Sequence, residues 1–161
     1  MKKKILIGSF IVTIIDLISK LVVSTYLNNG QSLNVIDNFF KITYVYNDGA
    51  AFSILRGGRI LFIILGIGGI YLLLKYQKDY RENNRNILAF SLIIGGIIGN
   101  LFDRIVFGYV RDFLDFKIFN YDYPIFNIAD SAIFIGVILL IISSFMGEDY
   151  GSSSKRKYKN R

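Results

Sequence analysis

Long hydrophobic runs dominate the chain and are separated by short polar segments. A run of about 20 apolar residues, at 1.5 Å per helical residue, is enough to cross a bilayer. Four such runs are predicted as transmembrane helices, at about residues 5–27, 59–75, 87–106 and 126–146. The second run is short, but Arg59 and Lys75 flank it and extend it because their side chains reach the lipid headgroups. The pattern predicts an all-α membrane protein with a single domain over residues 1–161.

The segment after the first run, residues 28–58, has a different pattern. Along residues 40–46, bulky apolar side chains alternate with others, and this period of two is typical of a β-strand. An Asn-Asp-Gly sequence follows at residues 47–49 and favours a turn. We therefore expect a small β-sheet on the outer membrane surface, with the rings of Tyr44 and Tyr46 covering a groove between the helices.

Two of the hydrophobic runs contain residues that predict contacts within or between helices. Asp16 and Lys20 are four residues apart, so they share one face of the first helix and can pair, which lowers the cost of charge within a membrane. This pair is either structural or a support for a functional site, and the residues alone leave both interpretations open. Gly95 and Gly99 have the small-xxx-small spacing that allows another helix to approach closely.

The stretch from residue 95 to residue 130 brings carboxylates, amides and arginines directly after an apolar, membrane-like run. Asn100, Asp103 and Arg104 share one face at the end of the third run. An outer loop is predicted over residues 107–125. Ionisable residues at the end of a membrane helix suggest function, so this stretch is the candidate site.

The start of the fourth helix carries two of these polar residues. Asn127 is predicted as its N-cap, and Asp130 lies in its first turn on the same face. An acidic residue at that position is also favoured by the helix dipole alone. The outer loop contributes Asp112 and Asp115.

The charge distribution predicts the orientation in the membrane. Lys and Arg outnumber Asp and Glu by 19 to 12, which gives a formal net charge of +7. The basic residues concentrate before the first run, between the second and third runs, and in a tail at residues 147–161 that is expected to be disordered. Because cytoplasmic segments carry the excess of Lys and Arg, both termini are expected in the cytoplasm and the candidate site at the outer face. Anionic lipid accounts for this charge, so no nucleic-acid partner is needed.

The composition limits the available chemistry. The chain contains no Cys and no His, which excludes disulfides, thiolate or histidine metal sites, and a histidine base. Two facing carboxyl groups remain as a hydrolytic device, because one can accept a proton from water while the other donates one. Asp112 and Asp130 are the candidates, provided that the outer loop folds back over the start of the fourth helix. A Ser-Lys pair stays open in principle.

Five short motifs occur in order along the chain. They are Asp16 with Lys20, N-D-G-A-A-F at residues 47–52, G-N-L-F-D-R at 99–104, V-R-D-F-L-D at 110–115 and F-N-I-A-D at 126–130. Together with four membrane runs, these motifs resemble those of the bacterial lipoprotein signal peptidases, also called type II signal peptidases.

The resemblance implies an aspartic endopeptidase in the bacterial cytoplasmic membrane, with its active site at the outer face. It would cleave prolipoproteins just before a cysteine that carries diacylglycerol, and would release the signal peptide. Its partners would be these substrates and membrane lipids, and it would work as a monomer without metal or other cofactor.

The resemblance also assigns roles to residues. Asp112 and Asp130 would be the catalytic pair, called the dyad below. Dyad support or substrate binding would fall to Asn47, Gly49, Asn100, Asp103, Arg104 and Asn127. Structural support would come from Asp16, Lys20 and Asp115.

Three other functions stay open at the level of sequence. A small transporter would use Asp16 and Lys20 as its path and would need further charges on other helices. A non-enzymatic assembly partner would use the outer acids as a binding face and would tolerate loss of Asp112 or Asp130. A hydrolase with an oxygen-bound metal would be sensitive to a chelator.

Overall fold

The structure is a computed structural model that describes residues 1–49, 57–119 and 121–147. It contains the long helices α1 (Lys2–Tyr26), α2 (Arg59–Tyr76), α3 (Asn84–Val106) and α4 (Ile128–Phe145). By length and composition, all four helices are able to cross a membrane. A short 3₁₀ turn, Gln77–Asp79, follows α2. The A-A-F part of the motif at residues 47–52 and the basic tail from residue 148 lie outside the described residues.

Helix α3 is the most buried of the four and packs against each of the others. Glycine allows this close packing. A Cβ atom on Gly95 or Gly99 would overlap α1, and one on Gly96 would overlap the carbonyl oxygen of Ala129 in α4. The predicted packing role of Gly95 and Gly99 is therefore confirmed, and their partner is α1.

Helix α2 lies at the edge of the bundle and is partly or fully exposed along its whole length. Its N-terminal end is attached to α3 by two side chains. The Arg59 Nη2 atom donates a hydrogen bond of 2.8 Å to the Ile105 carbonyl. The Phe62 ring lies beneath the Arg104 guanidinium, whose carbon is 4.7 Å from the ring centroid.

A four-stranded antiparallel sheet adjoins the helices, with its strands in chain order. The strands are β1 (Ser32–Ile36), β2 (Phe40–Asn47), β3 (Val110–Ile118) and β4 (Tyr121–Asp122). The prediction of four helices and a small sheet is confirmed, and the alternating segment 40–46 lies within β2. Between β2 and β3, Thr43 Oγ1 donates to Asp115 Oδ2 at 2.6 Å, so Asp115 ties the two strands together.

The prediction of a loop over residues 107–125 is wrong in its central part, because β3 runs through it. The charged residues of β3 interrupt the apolar alternation by which a strand is predicted. This segment forms a strand because β2 supplies partners for its backbone hydrogen bonds. The register places Val45 opposite Asp112, after an irregularity between Ile42 and Val45.

Candidate active site

Asn127 and Asp130 close the first turn of α4 in a reciprocal capping box. The Asn127 Oδ1 atom accepts a 2.9 Å hydrogen bond from the Asp130 backbone N–H. The Asp130 Oδ2 atom accepts a 3.2 Å bond from the Asn127 backbone N–H. The predicted N-cap is confirmed, and the box fixes the Asp130 carboxylate at the helix start.

Asp112 is held by two asparagine amides. Asn47 Nδ2 donates to Asp112 Oδ2, and Asn127 Nδ2 donates to Asp112 Oδ1, each at 2.7 Å. The Asn47 amide is itself oriented, because its Oδ1 accepts a 3.0 Å bond from the backbone N–H of Gly49. The side chain of Asp112 is therefore fixed by β2 on one side and by α4 on the other.

The third asparagine, Asn100 of α3, reaches the other carboxylate. Its Nδ2 atom donates to Asp130 Oδ1 at 2.7 Å. Its Oδ1 atom accepts from Asn127 Nδ2 at 3.2 Å. One amide network thus joins Asp112 and Asp130, and both line the same cavity of about 530 Å³.

Burial, and to a smaller extent the nearby negative charge of Asp130, together raise the pKa of Asp112 to about 7. Hydrogen bonds from Asn47 and Asn127 act in the opposite direction but do not offset burial. Because only 2% of Asp112 is exposed, water does little to stabilise its ionised form. This carboxyl group can hold a proton at neutral pH and release it with little cost.

A buried charge cluster lies behind this network. Lys20 Nζ is 2.7 Å from Asp16 Oδ2 and 3.3 Å from Asp103 Oδ2. Asp103 also pairs with Arg111, with 2.7 Å between Oδ1 and Nη2. The charges of two cations and two anions therefore compensate one another in a region that is almost closed to water.

Arg111 is the residue that sequence reasoning missed. It occurs in the motif at 110–115, and the sequence predicts no role for it. Its side chain and its backbone N–H both bind Asp103, which anchors the start of β3 on α3 directly before Asp112. Its signal was present, since Arg111 is the one arginine in residues 107–125.

Arg104 connects the cavity to the turn after β2. Its Nη2 atom donates a 3.1 Å hydrogen bond to the Gly49 carbonyl, and its side chain lines the cavity. Gly49 therefore binds Asn47 through its N–H and Arg104 through its carbonyl. Three of the predicted residues, Asn47, Asn100 and Asn127, thus bind the two carboxylates directly, and Arg104 lines the same cavity. Gly49 and Lys20 each lie one contact further away, and Asp16 and Asp103 lie behind Lys20.

The remainder of the cavity wall is apolar. It is formed by the segment before α4 and by one side of α4, with contributions from Val110, Tyr123, Pro124, Ile125, Phe126, Ile133, Phe134 and Val137. The expectation that Tyr44 and Tyr46 cover the groove is wrong for this cavity, whose described lining includes neither. The Tyr46 ring stacks on Tyr109 instead, with 4.0 Å between ring centroids. In the described ranges, no group of three or more acidic side chains is placed to hold a metal ion.

Comparison with known proteins identifies a family and close relatives. The family described as signal peptidase (SPase) II matches residues 9–146. The lipoprotein signal peptidase of Halothermothrix orenii is 45% identical over 141 residues, which cover 88% of this chain and 94% of the relative. That of Staphylococcus haemolyticus is 44% identical over 149 residues, covering 89% and 94%.

Two solved structures are also similar to this fold. Both are described as bacterial membrane enzyme structures obtained by the in meso method, at 2.3 Å and 1.9 Å resolution. The first has a TM-score of 0.82 and 40% identity, and covers 88% of this chain and 87% of its own. The second has a TM-score of 0.78 and 41% identity, and covers 86% and 90%.

Proposed function

The chain belongs to the signal peptidase II family, and we propose that it is an aspartic endopeptidase that removes the signal peptide from diacylglyceryl-modified prolipoproteins. The family and the four apolar helices make it a peptidase and a multi-pass bacterial membrane protein. The names of the relatives supply the substrate class. One observation carries the catalytic type: Asp112 and Asp130 line one cavity and are both bound by Asn127, which donates to Asp112 from its side-chain amide and to Asp130 from its backbone N–H.

In the proposed reaction, the two carboxyl groups have different protonation states. Asp130, ionised, takes a proton from a water molecule while the water oxygen attacks the carbonyl carbon of the scissile bond. Asp112, neutral below about pH 7, donates its proton to the carbonyl oxygen. When the tetrahedral intermediate collapses, Asp130 gives its proton to the leaving amine and Asp112 recovers one from a hydroxyl. The net change is addition of one water across the peptide bond.

The walls of the cavity suit the two ends of such a substrate. The apolar side of α4, with Ile133, Phe134 and Val137, would contact the acyl chains or the apolar signal helix. Arg104 lies at the polar end and would donate hydrogen bonds to backbone carbonyls of the substrate. Cleavage would then occur just before the lipidated cysteine, at the boundary between lipid and water.

A cleavage assay in detergent with a diacylglyceryl-modified prolipoprotein tests the proposal. Asp112→Asn and Asp130→Asn should each lower kcat by at least about 100-fold, since proton transfer by a positioned group is worth that much. The matched control is Asp122→Asn, a carboxylate on β4 whose side chain is 79% exposed. It should cleave like the wild type.

The proposal is overturned if a folded Asp112→Asn or Asp130→Asn protein keeps wild-type cleavage. A chelator is included in parallel and should have no effect. Loss of cleavage on chelation would instead favour a metal-dependent hydrolase.

A further inference from the structure

Lys20 is buried at the junction of α1, α3 and α4. None of its surface is exposed, and its Nζ atom lies 3.0 Å from Asn100 Oδ1. Asn100 in turn donates to Asp130. A single amide therefore separates this ammonium group from a candidate catalytic carboxylate.

The chemistry of the two groups fixes the orientation of that amide. An ammonium group only donates hydrogen bonds, whereas an asparagine side chain has one acceptor end and one donor end. Lys20 therefore requires Asn100 Oδ1 to face it, and the opposite end, Nδ2, must face Asp130. The bond from Asn127 Nδ2 to Asn100 Oδ1 favours the same orientation.

We propose that Lys20 is a positioning residue for the pair of carboxyl groups, Asp112 and Asp130. Lys20 fixes the Asn100 amide so that Asp130 receives a hydrogen-bond donor and stays ionised. The one proton of the pair then resides on Asp112. A reversed amide would present its oxygen to Asp130 and would favour a protonated carboxyl group there. This inference rests on the proposed function, because it assigns roles within the same pair of carboxyl groups.

The surrounding charges keep the ammonium group in place. Asp16 and Asp103 flank Lys20 from α1 and α3. Asp16 Oδ1 also accepts a 2.9 Å bond from the backbone N–H of Ala129, the residue before Asp130. Among residues 1–49, 57–119 and 121–147, the charged or titratable side chains around the two carboxyl groups are Asp16 and Lys20 from α1, Asp103 and Arg104 from α3, Arg111 from β3, and Tyr123 at the cavity wall.

The test compares two variants in a background that leaves no buried charge unpaired. Asp16→Asn keeps an oxygen for the Ala129 N–H, and Asp103 keeps Arg111 as its partner. In that background, Lys20→Gln can still donate to Asn100 Oδ1, whereas Lys20→Met cannot. Both replacements are neutral and similar in length, so they differ mainly in this hydrogen bond.

The Met variant is expected to lose about 10- to 100-fold in kcat, the effect of one hydrogen bond to a charged group, with little change in KM. The acidic limb of its kcat profile should move to higher pH. The Gln variant should stay within about 10-fold of its Asp16→Asn parent, and the acidic limb of its profile should move less. Thermal unfolding in detergent confirms that each variant is folded.

The matched control is Thr13→Val, which removes a buried 3.0 Å hydrogen bond from α1 to the Gly95 carbonyl of α3 but has no link to Asn100. It should lower thermal stability and leave the pH profile unchanged. Equal kcat and equal pH profiles for the Met and Gln variants would overturn the proposal. If the Met variant does not fold, a Gln variant as inactive as Asp130→Asn overturns it, and one within about 10-fold of its Asp16→Asn parent supports it.

The two proposals fail separately. Wild-type cleavage by Asp112→Asn or Asp130→Asn would refute the proposed catalytic role of the two carboxyl groups. If Asp112→Asn and Asp130→Asn are inactive but Lys20→Met and Lys20→Gln have equal kcat and equal pH profiles in the Asp16→Asn background, only the role of Lys20 is refuted.

Discussion

Asn127 joins the start of α4 to both candidate catalytic carboxyl groups. Its oxygen caps the helix, and its amide nitrogen donates to Asp112 and to Asn100. A single side chain therefore contributes to helix stability and to the geometry of the site. The two contributions can be separated because serine also caps helices well but has no amide donor.

Asn127→Ser should retain most of the thermal stability and lose about 10- to 100-fold in kcat, since a hydrogen bond to a buried carboxyl group is removed. Asn127→Ala should lose the same activity and, in addition, about 1 kcal/mol of stability with the cap. Thermal unfolding and cleavage rates in the same detergent measure both effects. Wild-type cleavage by the serine variant would mean that the amide does not position Asp112.

The pKa of Asp112 predicts how activity depends on pH. Burial, and then the charge of Asp130, raise it from 3.8 to about 7, so the neutral form predominates below that pH. The proposed mechanism needs this neutral form, and its fraction falls as pH rises. We expect kcat/KM to decline through about pH 7 on the basic side of a bell-shaped profile. A profile that is flat from about pH 6 to pH 9 would contradict the role of Asp112 as the proton donor.

At the scale of elements, the helices were predictable from sequence because their apolar runs have the length that a bilayer requires. The strand β2 was predictable from its alternation, and the start of α4 from its cap residue. The strand β3 was not, because Arg111, Asp112 and Asp115 interrupt its apolar pattern and its pairing partner lies far away in the chain. Local sequence carries no signal for that pairing.

In the candidate site, too, contacts within one helix were predictable from sequence, whereas contacts between elements were not. The Asp16–Lys20 pair was predictable because four residues bring side chains together on one helix. The contact of Lys20 with Asn100 depends on how α1 and α3 are aligned along each other, and no spacing within either helix encodes that. The motif resemblance supplied the members of the site, while the structure supplied their partners.

The alignment of α3 with α4 depends on a glycine at position 96. In Gly96→Ala, the added Cβ would overlap the Ala129 carbonyl, which is backbone and cannot rotate away. We expect a loss of about 1–3 kcal/mol in the free energy of unfolding, the usual cost of overpacking, and slower cleavage because Asp130 follows directly. Unfolding in mixed micelles measures the first effect.

The control for this substitution is Gly68→Ala in α2, where the added methyl group would meet no atom within 4 Å. It should be neutral or stabilise the protein by about 0.5–1 kcal/mol, since alanine is the better helix former. Equal effects at both positions would show that close approach at Gly96 does not determine the packing of α4.

At the scale of the whole molecule, the distribution of basic residues predicts that the sheet and the 3₁₀ turn lie on opposite sides of the membrane. The chain contains no Cys, so single cysteines report on this directly. Asn34 in β1 and Lys78 in the 3₁₀ turn are both exposed and suit such labelling.

In spheroplasts, Asn34→Cys should react with a membrane-impermeant maleimide, and Lys78→Cys should react only after permeabilisation. Retained cleavage activity shows that each variant is folded. The reverse labelling pattern would place the candidate site in the cytoplasm and would contradict its access to exported substrates.

The exposed helix α2 has a consequence for how such a protein diverges. Every residue of α2 is partly or fully exposed, and its attachment to the bundle depends on a few side chains such as Arg59 and Phe62. Most of its positions need only be apolar, because lipid accepts many side-chain shapes. Substitutions should therefore accumulate faster in α2 than in α3, where a change of one methyl group meets a neighbouring helix.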